Sequence, residues 1–244
     1  MRKFFTLLVL LPLMAVSVSA QSTKRGDING DGVVDISDVV TLVNIILNGD
    51  ENESYLTCPD DHHPHLIDLG LPSGTKWACC NVDADAPESY GGYYAWGETT
   101  EKDVYDWSTY THCDGSSDLC HNLGSNIAGS QYDVAHVKWG GIWQMPTKDQ
   151  LDELKTKCTS KWTMLNGVSG YEFTGSNGGY IFLPAAGRHW YSELYDDGSD
   201  GYYWSSTSNE DFEGSAYSFY FYEISAYRDD YDRLHGLSVR PVSK

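Results

Sequence analysis

The chain has 244 residues, and its 35 Asp and Glu residues outnumber the 16 Lys and Arg residues, which gives a formal net charge of −19. Such a charge repels the phosphate backbone of nucleic acids and anionic membrane surfaces, so neither is an expected partner. Hydrophobic residues make up 41% of the chain and aromatic residues 14%, which is enough for a packed core, whereas the charged fraction of 21% is too low for global disorder. The composition predicts one sizeable globular domain with a smaller segment beside it.

The first twenty residues have the pattern of a secretory signal peptide. Arg2 and Lys3 precede an apolar run from Phe4 to Val16, and the small residues Val18-Ser19-Ala20 then form a cleavage site. The apolar run is too short to span a bilayer comfortably. We therefore expect residues 1–20 to be removed and the mature protein, without a membrane span, to be secreted, placed on the cell surface or kept in the periplasm.

Export permits disulfides, and the chain has six cysteines whose many possible pairings leave the full connectivity open. Cys113 and Cys120 flank a polar loop that a bond between them would close. One of the adjacent pair Cys79 and Cys80 would be able to reach Cys158, whereas a bond between these two neighbours is disfavoured by disulfide geometry. The paired C-x2-C spacing that indicates structural zinc does not occur.

Residues 27–38 have the spacing of a calcium-binding loop. Oxygen-bearing residues fall at alternating loop positions, and Gly32 stands at the sixth position, where the chain must turn sharply. The alternation directs one set of side chains at a single ion while Ile28 and Gly30 point away. The predicted Ca²⁺ ligands are Asp27, Asn29, Asp31, the carbonyl of Val33, Asp35 and Asp38.

The run GDINGDGVVDISDVVTLVNIILNG resembles a type I dockerin repeat, in which a calcium loop is followed by a single exiting helix. Here that helix is predicted from about Ser37 to Leu47, with an apolar stripe and a stop at Asn48-Gly49. The resemblance implies binding to cohesin modules, which hold secreted polysaccharide-degrading enzymes on scaffolds. Dockerins have two such repeats and this chain shows one, so the apolar stripe must pack on the large domain, dimerise or meet a partner.

A polar, acidic linker is expected over residues 51–65, between a dockerin-like repeat at 21–50 and a large domain at 66–244. The linker holds His62, His63 and His65 beside two aspartates. Neighbouring side chains on an extended chain point to opposite sides, so a shared zinc ion would need a turn, and a solvated linker is the favoured interpretation.

The large domain alternates short apolar or aromatic runs with Gly, Asn, Asp and Ser. Thr147, with Gln150 three residues later, predicts a capping box at the start of one clear helix over Pro146 to Lys155. The missing crossover helices exclude a parallel α/β sheet, so the predicted class is α+β with loop-rich antiparallel sheets. Strands are expected at Tyr93 to Trp96, Tyr180 to Leu183, Tyr202 to Ser205, Ala216 to Tyr222 and Leu237 to Val242.

Six blocks follow one another in this domain: IDLGLPSGTKWA from Ile67, GGYYAWGE from Gly91, WQMPT from Trp143, IFLPAAG from Ile181, YWSST from Tyr203 and SVRPV from Ser238. Together they resemble the Fibrobacter succinogenes major paralogous domain of exported Bacteroidetes proteins. The resemblance implies a C-type-lectin-like fold, related to formylglycine-generating enzymes and to variable ligand-binding proteins of diversity-generating retroelements. Gln144 departs from the usual Arg of that family.

The tryptophans of these blocks, Trp77, Trp96, Trp143 and Trp204, are interpreted as core residues. Between the last two blocks the sequence is rich in Tyr, Arg and Asp, the composition of antibody paratopes, and a second such patch begins at Arg188 and includes Tyr195. The alternative is a plain polar strand pair with incidental tyrosines. The predicted ligand-binding residues are Trp190, Tyr191, Tyr222, Tyr227, Arg228, Asp230, Tyr231, Arg233 and His235.

No nucleophile elbow, metalloprotease helix, P-loop or dinucleotide-binding fingerprint is present, and no carboxylate pair stands out as acid and base. The reactive cysteine pair of formylglycine-generating enzymes has no counterpart here, because the last cysteine is Cys158. The sequence therefore predicts a non-catalytic protein with Ca²⁺ as its cofactor and a protein or glycan as its ligand. An accessory role in a polysaccharide-degrading assembly is the alternative, followed by a glycan hydrolase.

Overall fold

The structure, a computed structural model, describes residues 66–243 together with Val34, Ile36 and Val39. The chain divides into two units, Met1–Glu53 and Ser54–Lys244, and the fold below belongs to the second. In the first unit, Ile36 and Val39 are helical and exposed. The predicted signal peptide, linker and histidine cluster lie outside the described residues.

Residues 66–243 form short antiparallel strands and two α-helices, as the α+β prediction required. The strands before and between the helices are β1 (Leu66–Asp68), β2 (Lys76–Ala78) and β3 (Trp143–Gln144), and the helices are α1 (Val134–Trp139) and α2 (Lys148–Lys157). The later strands are β4 (Thr159–Leu165), β5 (Val168–Thr174), β6 (Tyr180–Pro184), β7 (Arg188–Trp190), β8 (Glu193–Tyr195), β9 (Asp200–Ser208), β10 (Ser215–Tyr222), β11 (Ser225–Asp232) and β12 (Val242–Ser243).

These strands make four small sheets, ordered β1-β2-β12-β3, β4-β5-β6, β7-β8 and β11-β10-β9. The final strand β12 pairs with β2 on one side and β3 on the other, so it joins the beginning and the end of the domain. The β9, β10 and β11 strands are the longest in the domain, and they form one meander. Successive side chains along each strand point to opposite faces of the sheet, so the two faces of this meander carry different sets of side chains.

The helix α2 confirms the predicted capping box. The Thr147 hydroxyl accepts the backbone N–H of Gln150 at 3.2 Å, and the Gln150 side-chain oxygen accepts the backbone N–H of Thr147 at 2.9 Å. These reciprocal bonds satisfy two donors that a helix start leaves without a partner. Leu151 and Leu154 face the core, where both are fully buried.

The core contains three of the four predicted tryptophans. Trp77, Trp96 and Trp204 are fully buried, whereas Trp143 is only partly buried and its ring lies 5.3 Å from that of Trp139. Two of these three buried indole N–H groups have acceptors: that of Trp204 donates to a backbone oxygen at 2.7 Å and that of Trp96 at 2.9 Å, whereas the Trp77 indole N–H has no partner among the described residues. Burial without such partners would be costly.

Two predicted strands are not formed as expected. Tyr94 and Leu237 join only in an isolated bridge, and regular pairing near the C-terminus is limited to β12. In the loops around these residues, several backbone carbonyls accept hydrogen bonds from tyrosine hydroxyls and not from a neighbouring strand. Three such bonds, each 2.6 Å long, run from Tyr93 to Ala186 O, from Tyr105 to Tyr93 O and from Tyr110 to Trp96 O.

The short helix α1 was not predicted. Its start is capped by Asp133, whose buried carboxylate accepts the backbone N–H groups of His136, Gly129 and Met145 at 3.1, 2.8 and 2.9 Å. Burial raises the pKa of this carboxyl group. The helix has only six residues, too few for a clear apolar periodicity.

The predicted closure of the polar loop is confirmed, because Cys113 and Cys120 are disulfide-bonded. The link from Cys79 or Cys80 to Cys158, one of the pairings that the sequence left open, is not formed, and Cys158 carries a free thiol at the end of α2. That thiol packs against the main hydrophobic cluster, and burial raises its pKa to about 11. Within the described residues, no helix is long and apolar enough to cross a membrane.

Candidate binding face

The two predicted tyrosine-rich segments lie next to each other in the fold. The ring of Trp190, at the end of β7, is 6.0 Å from the ring of His235, which follows β11. The guanidinium of Arg188 lies over two rings of the meander, 5.1 Å from the Tyr202 centroid and 5.4 Å from the Tyr231 centroid. The sequence predicted a binding face on both segments, and the fold brings them together in one surface.

We call this surface the aromatic face. Each of its rings lies within 6.1 Å of another ring of the set, so the rings form a connected path across β7, β8 and the β9–β11 meander. Four of them are well exposed, with exposed fractions of 50% for Tyr191, 40% for Trp190, 38% for Tyr195 and 37% for Tyr227. The aromatic face comprises Trp190, Tyr191, Tyr195, Tyr202, Tyr220, Tyr222, Tyr227, Tyr231 and His235.

The register of the meander explains which tyrosines share this face. Tyr220 pairs directly with Tyr227 on β11 and with Tyr202 on β9, so the three side chains stand on the same side of the sheet. Tyr222 and Tyr231 differ from their strand neighbours by two and four positions and therefore point the same way. From Tyr227 to Tyr231 the strand advances about 13 Å, which gives the face an elongated shape.

The same alternation of side chains places Arg228 and Asp230 outside the aromatic face. Each stands one position away from its tyrosine neighbours, so both lie on the opposite side of β11. There the Arg228 guanidinium pairs with the Asp152 carboxylate of α2 and lies 5.4 Å from the Tyr217 ring. Of the predicted binding residues, these two face the helix side of the sheet.

Arg233 and His235, also predicted as binding residues, are buried, with exposed fractions of 4% and 8%. The Arg233 guanidinium lies against the Trp96 ring at 4.4 Å. The ring of His235 supports the aromatic face from below, and its Nδ1 is 3.1 Å from the Asp232 carbonyl. Burial lowers the pKa of His235 to about 4, so this ring is neutral at neutral pH.

Carboxylates fix the inner tyrosines of the aromatic face. The Tyr202 hydroxyl donates to Asp196 at 2.9 Å, and the Tyr220 hydroxyl donates to Asp200 at 2.5 Å. Burial, followed by these hydrogen bonds and neighbouring charges, raises the pKa of both tyrosines, which therefore remain hydrogen-bond donors. Asp196 also faces the Arg188 guanidinium at 3.5 Å, so donors and acceptors stand beside the rings.

Tyr191 occupies an unusual backbone conformation at the turn between β7 and β8. Its φ of 51° lies in the left-handed region, which aromatic residues seldom adopt. Two backbone hydrogen bonds of 2.9 Å with Tyr105 hold it there. Strained residues often mark functional sites, and here the turn projects the half-exposed phenol ring outward.

The face includes residues that sequence reasoning did not select. Tyr202 and Tyr220 were expected to be strand residues, and only the strand register shows that they continue the path of rings. Tyr195 belongs to the second tyrosine-rich patch of the sequence but not to the predicted binding set. Arg188 is also outside that set, and it lies beside the face over the rings of Tyr202 and Tyr231. The sequence does contain a signal for Tyr220: it stands two positions from Tyr222 on a predicted strand, and residues spaced by two share one face.

The predicted Ca²⁺ ligands, Asp27, Asn29, Asp31, Val33, Asp35 and Asp38, all lie outside the described residues. Among the residues that are described, no group of three or more His, Cys, Asp or Glu side chains is arranged to hold a metal ion.

One family model matches the chain, over residues 162–242, and its description is "Domain of unknown function (DUF8237)". The match covers less than half of the chain and includes every residue of the aromatic face. No curated protein and no solved structure matches the chain. These comparisons attach no activity or ligand to the matched region.

Proposed function

We propose that this chain is an exported, non-catalytic binding protein that holds its ligand on the aromatic face. The observation that carries the proposal is the connected path of rings with four well-exposed members. Exposed apolar groups that cluster in this way mark interaction surfaces more often than scattered ones do. Tyrosine and tryptophan add large contact areas at a small cost in conformational entropy.

The ligand class that suits this face is an extended glycan. Sugar rings stack on aromatic rings, and the elongated face offers Tyr227 and Tyr231 along β11 beside Tyr220 and Tyr222 on β10. The charged pair of Arg188 and Asp196 supplies a donor and an acceptor for sugar hydroxyls beside those rings. The tied hydroxyls of Tyr202 and Tyr220 fix part of the surface before the ligand arrives, which lowers the cost of binding.

Polysaccharide binding by the full chain tests this proposal. In affinity electrophoresis through gels that contain soluble polysaccharides, at least one glycan should retard the protein. The double variant Trp190→Ala with Tyr227→Ala should lose at least about tenfold in affinity, because truncating an aromatic anchor at the centre of an interface costs about 2 kcal/mol or more. Both rings are substantially exposed, so the fold should survive.

The matched control is Tyr180→Ala, because Tyr180 is 58% exposed on β6 and has no place in the aromatic face. Its mobility in the gels should equal that of the unmodified protein. Retardation that persists in the double variant would show that the glycan binds elsewhere. A chain that binds no glycan but captures a protein through the same two residues would replace the glycan with a protein ligand.

A second proposal concerns the N-terminal unit. The loop of residues 27–38 binds Ca²⁺, and the dockerin-like repeat attaches the protein to a cohesin-like module in a polysaccharide-degrading assembly. Its support is the ligand spacing and the glycine at the sixth position of the loop. In this arrangement the aromatic face would hold the glycan on which neighbouring enzymes act. A pulldown with cohesin modules that recovers the chain with Ca²⁺ but not with a chelator tests it.

A further inference from the structure

A cavity of about 250 Å³ shares no residue with the aromatic face. It lies between the segment after the disulfide, the end of β9 and the residue that follows β11. We call it the Arg233 pocket. Its polar lining includes His121, Asn122, Asn209, Glu210, Glu213 and Arg233.

The pocket contains a buried positive charge. Arg233 is 4% exposed, and its Nε donates to Ser215 O at 3.2 Å while Nη1 donates to His121 O at the long distance of 3.5 Å. The Trp96 ring covers one side of the guanidinium at 4.4 Å, and the Tyr110 side chain is a further hydrogen-bonding neighbour. Within residues 66–243, no carboxylate lies within 4.0 Å of Arg233, and the Glu213 carboxylate attracts it only from a longer distance.

Arg240 shows how this domain satisfies a buried arginine that has only a structural role. Its guanidinium makes four hydrogen bonds of 2.8 to 3.2 Å to oxygen acceptors, and Arg240 does not line the Arg233 pocket. Buried charges are normally paired or fully hydrogen-bonded. Arg233 has fewer and longer bonds than Arg240 and faces a cavity, so it retains capacity for an anion.

Asn209 adds a neutral donor to the same pocket. Its side chain is buried, with an exposed fraction of 6%, and its Oδ1 accepts the backbone N–H of Asp211 at 2.9 Å. The Nδ2 group donates to no residue that the structure describes. A guanidinium and an amide N–H₂ that line one cavity form a binding site for a carboxylate group.

The rim of the pocket has the opposite character. Glu210 and Glu213 are exposed there, and their carboxylates accept hydrogen bonds but repel a second negative charge. A ligand that fits both parts therefore has one carboxylate at the base and hydroxyl donors toward the rim. Because the whole chain has a net charge of −19, an anion gains nothing from the general field of the protein and must be held by local contacts.

We infer that the Arg233 pocket binds the carboxylate of a single sugar acid of the hexuronate class, with Arg233 and Asn209 as donors and the rim glutamates as acceptors for its hydroxyls. This site works independently of the aromatic face. It requires no covalent step and no cofactor. The cavity volume suits one sugar ring and excludes a long chain from its base.

Calorimetric titration of the full chain with glucuronate and with glucose tests the inference. Glucuronate should bind and glucose should not, since only the first carries a carboxylate. The decisive variant is Asn209→Asp, which keeps the side-chain size but adds a negative charge to the lining of the cavity that Arg233 also lines. This variant should lose at least tenfold in affinity for glucuronate while its Tm stays close to that of the unmodified protein, because Asp keeps the side-chain size and the oxygen that accepts the Asp211 backbone N–H.

The double variant Trp190→Ala with Tyr227→Ala serves as the control, and it should bind glucuronate as the unmodified chain does. Three results would overturn the inference: glucuronate produces no binding heat, glucose binds as tightly as glucuronate, or Asn209→Asp leaves the affinity unchanged. Because Asn209→Asp should not lower the Tm, a loss of binding in a folded variant cannot be attributed to unfolding.

Discussion

At the scale of single residues, His235 shows how burial changes the chemistry of an ordinary side chain. It contacts the rings of Trp190 and Tyr231 and is 8% exposed, so its charged form would lose most of its hydration. Burial is the largest cause of its lowered pKa, and the nearby Arg188 charge lowers it further. The neutral ring is therefore part of the packing that supports the exposed end of the aromatic face.

This burial predicts a pH dependence of stability. In the unfolded chain the histidine takes up a proton near pH 6.5, whereas in the folded chain it does so only near pH 4. The stabilising contribution is therefore complete above pH 6.5 and is lost as the pH falls toward 4, by up to about 3 kcal/mol. In His235→Phe, which keeps the ring contacts but cannot be protonated, chemical denaturation should show a free energy of unfolding that falls less steeply over this range.

His121→Asn provides the comparison, because the His121 side chain is about half exposed and lies outside the aromatic face. Its free energy of unfolding should follow the unmodified protein between pH 6.5 and pH 4. Identical curves for His235→Phe and the unmodified protein would mean that folding does not lower the pKa of His235.

At the scale of elements, the sequence predicted the features that depend on residues close together in the chain and missed those that depend on strand pairing. The capping box of α2 uses Thr147 and Gln150, three positions apart, and was predicted correctly. Alternation along β11 was also visible, but the sequence does not tell which side of the strand meets α2. That depends on register, which pairs Phe219 with Arg228 and Tyr220 with Tyr227. Arg228 was therefore grouped with Tyr227, although the two side chains lie on opposite sides of the sheet.

The capping box makes a prediction at this scale. Thr147→Ala removes the acceptor for the Gln150 backbone N–H, and α2 packs Leu151 and Leu154 into the core, so the loss should reach the whole domain. We expect the free energy of unfolding to fall by about 1 kcal/mol. Thr156→Ala, in the exposed last turn of the same helix, should change it by less than about 0.5 kcal/mol. Equal effects in urea denaturation would contradict a capping role for Thr147.

At the scale of the whole molecule, the irregular part of the domain was the hardest to foresee. The residues between β2 and α1 form no regular strand, and long-range bonds such as that from the Tyr93 hydroxyl to Ala186 O hold them. The residue type alone does not distinguish a tyrosine that holds a loop in place from a tyrosine that contacts a ligand. Composition therefore predicted a tyrosine-rich surface, and only the fold separated the supporting Tyr202 from the exposed Tyr227.

The two proposed binding functions belong to different units of the chain, and their independence can be measured. Asp31→Ala removes a central ligand of the predicted loop, so calorimetry should show the loss of a Ca²⁺ affinity of about micromolar or tighter. Glycan binding by the same variant should remain unchanged, because the rings of the aromatic face are positioned by contacts within the second unit. The double variant Trp190→Ala with Tyr227→Ala should show the reverse result. If Asp31→Ala abolishes glycan binding as well, glycan binding depends on calcium, and the proposal that the two units bind their ligands independently is wrong.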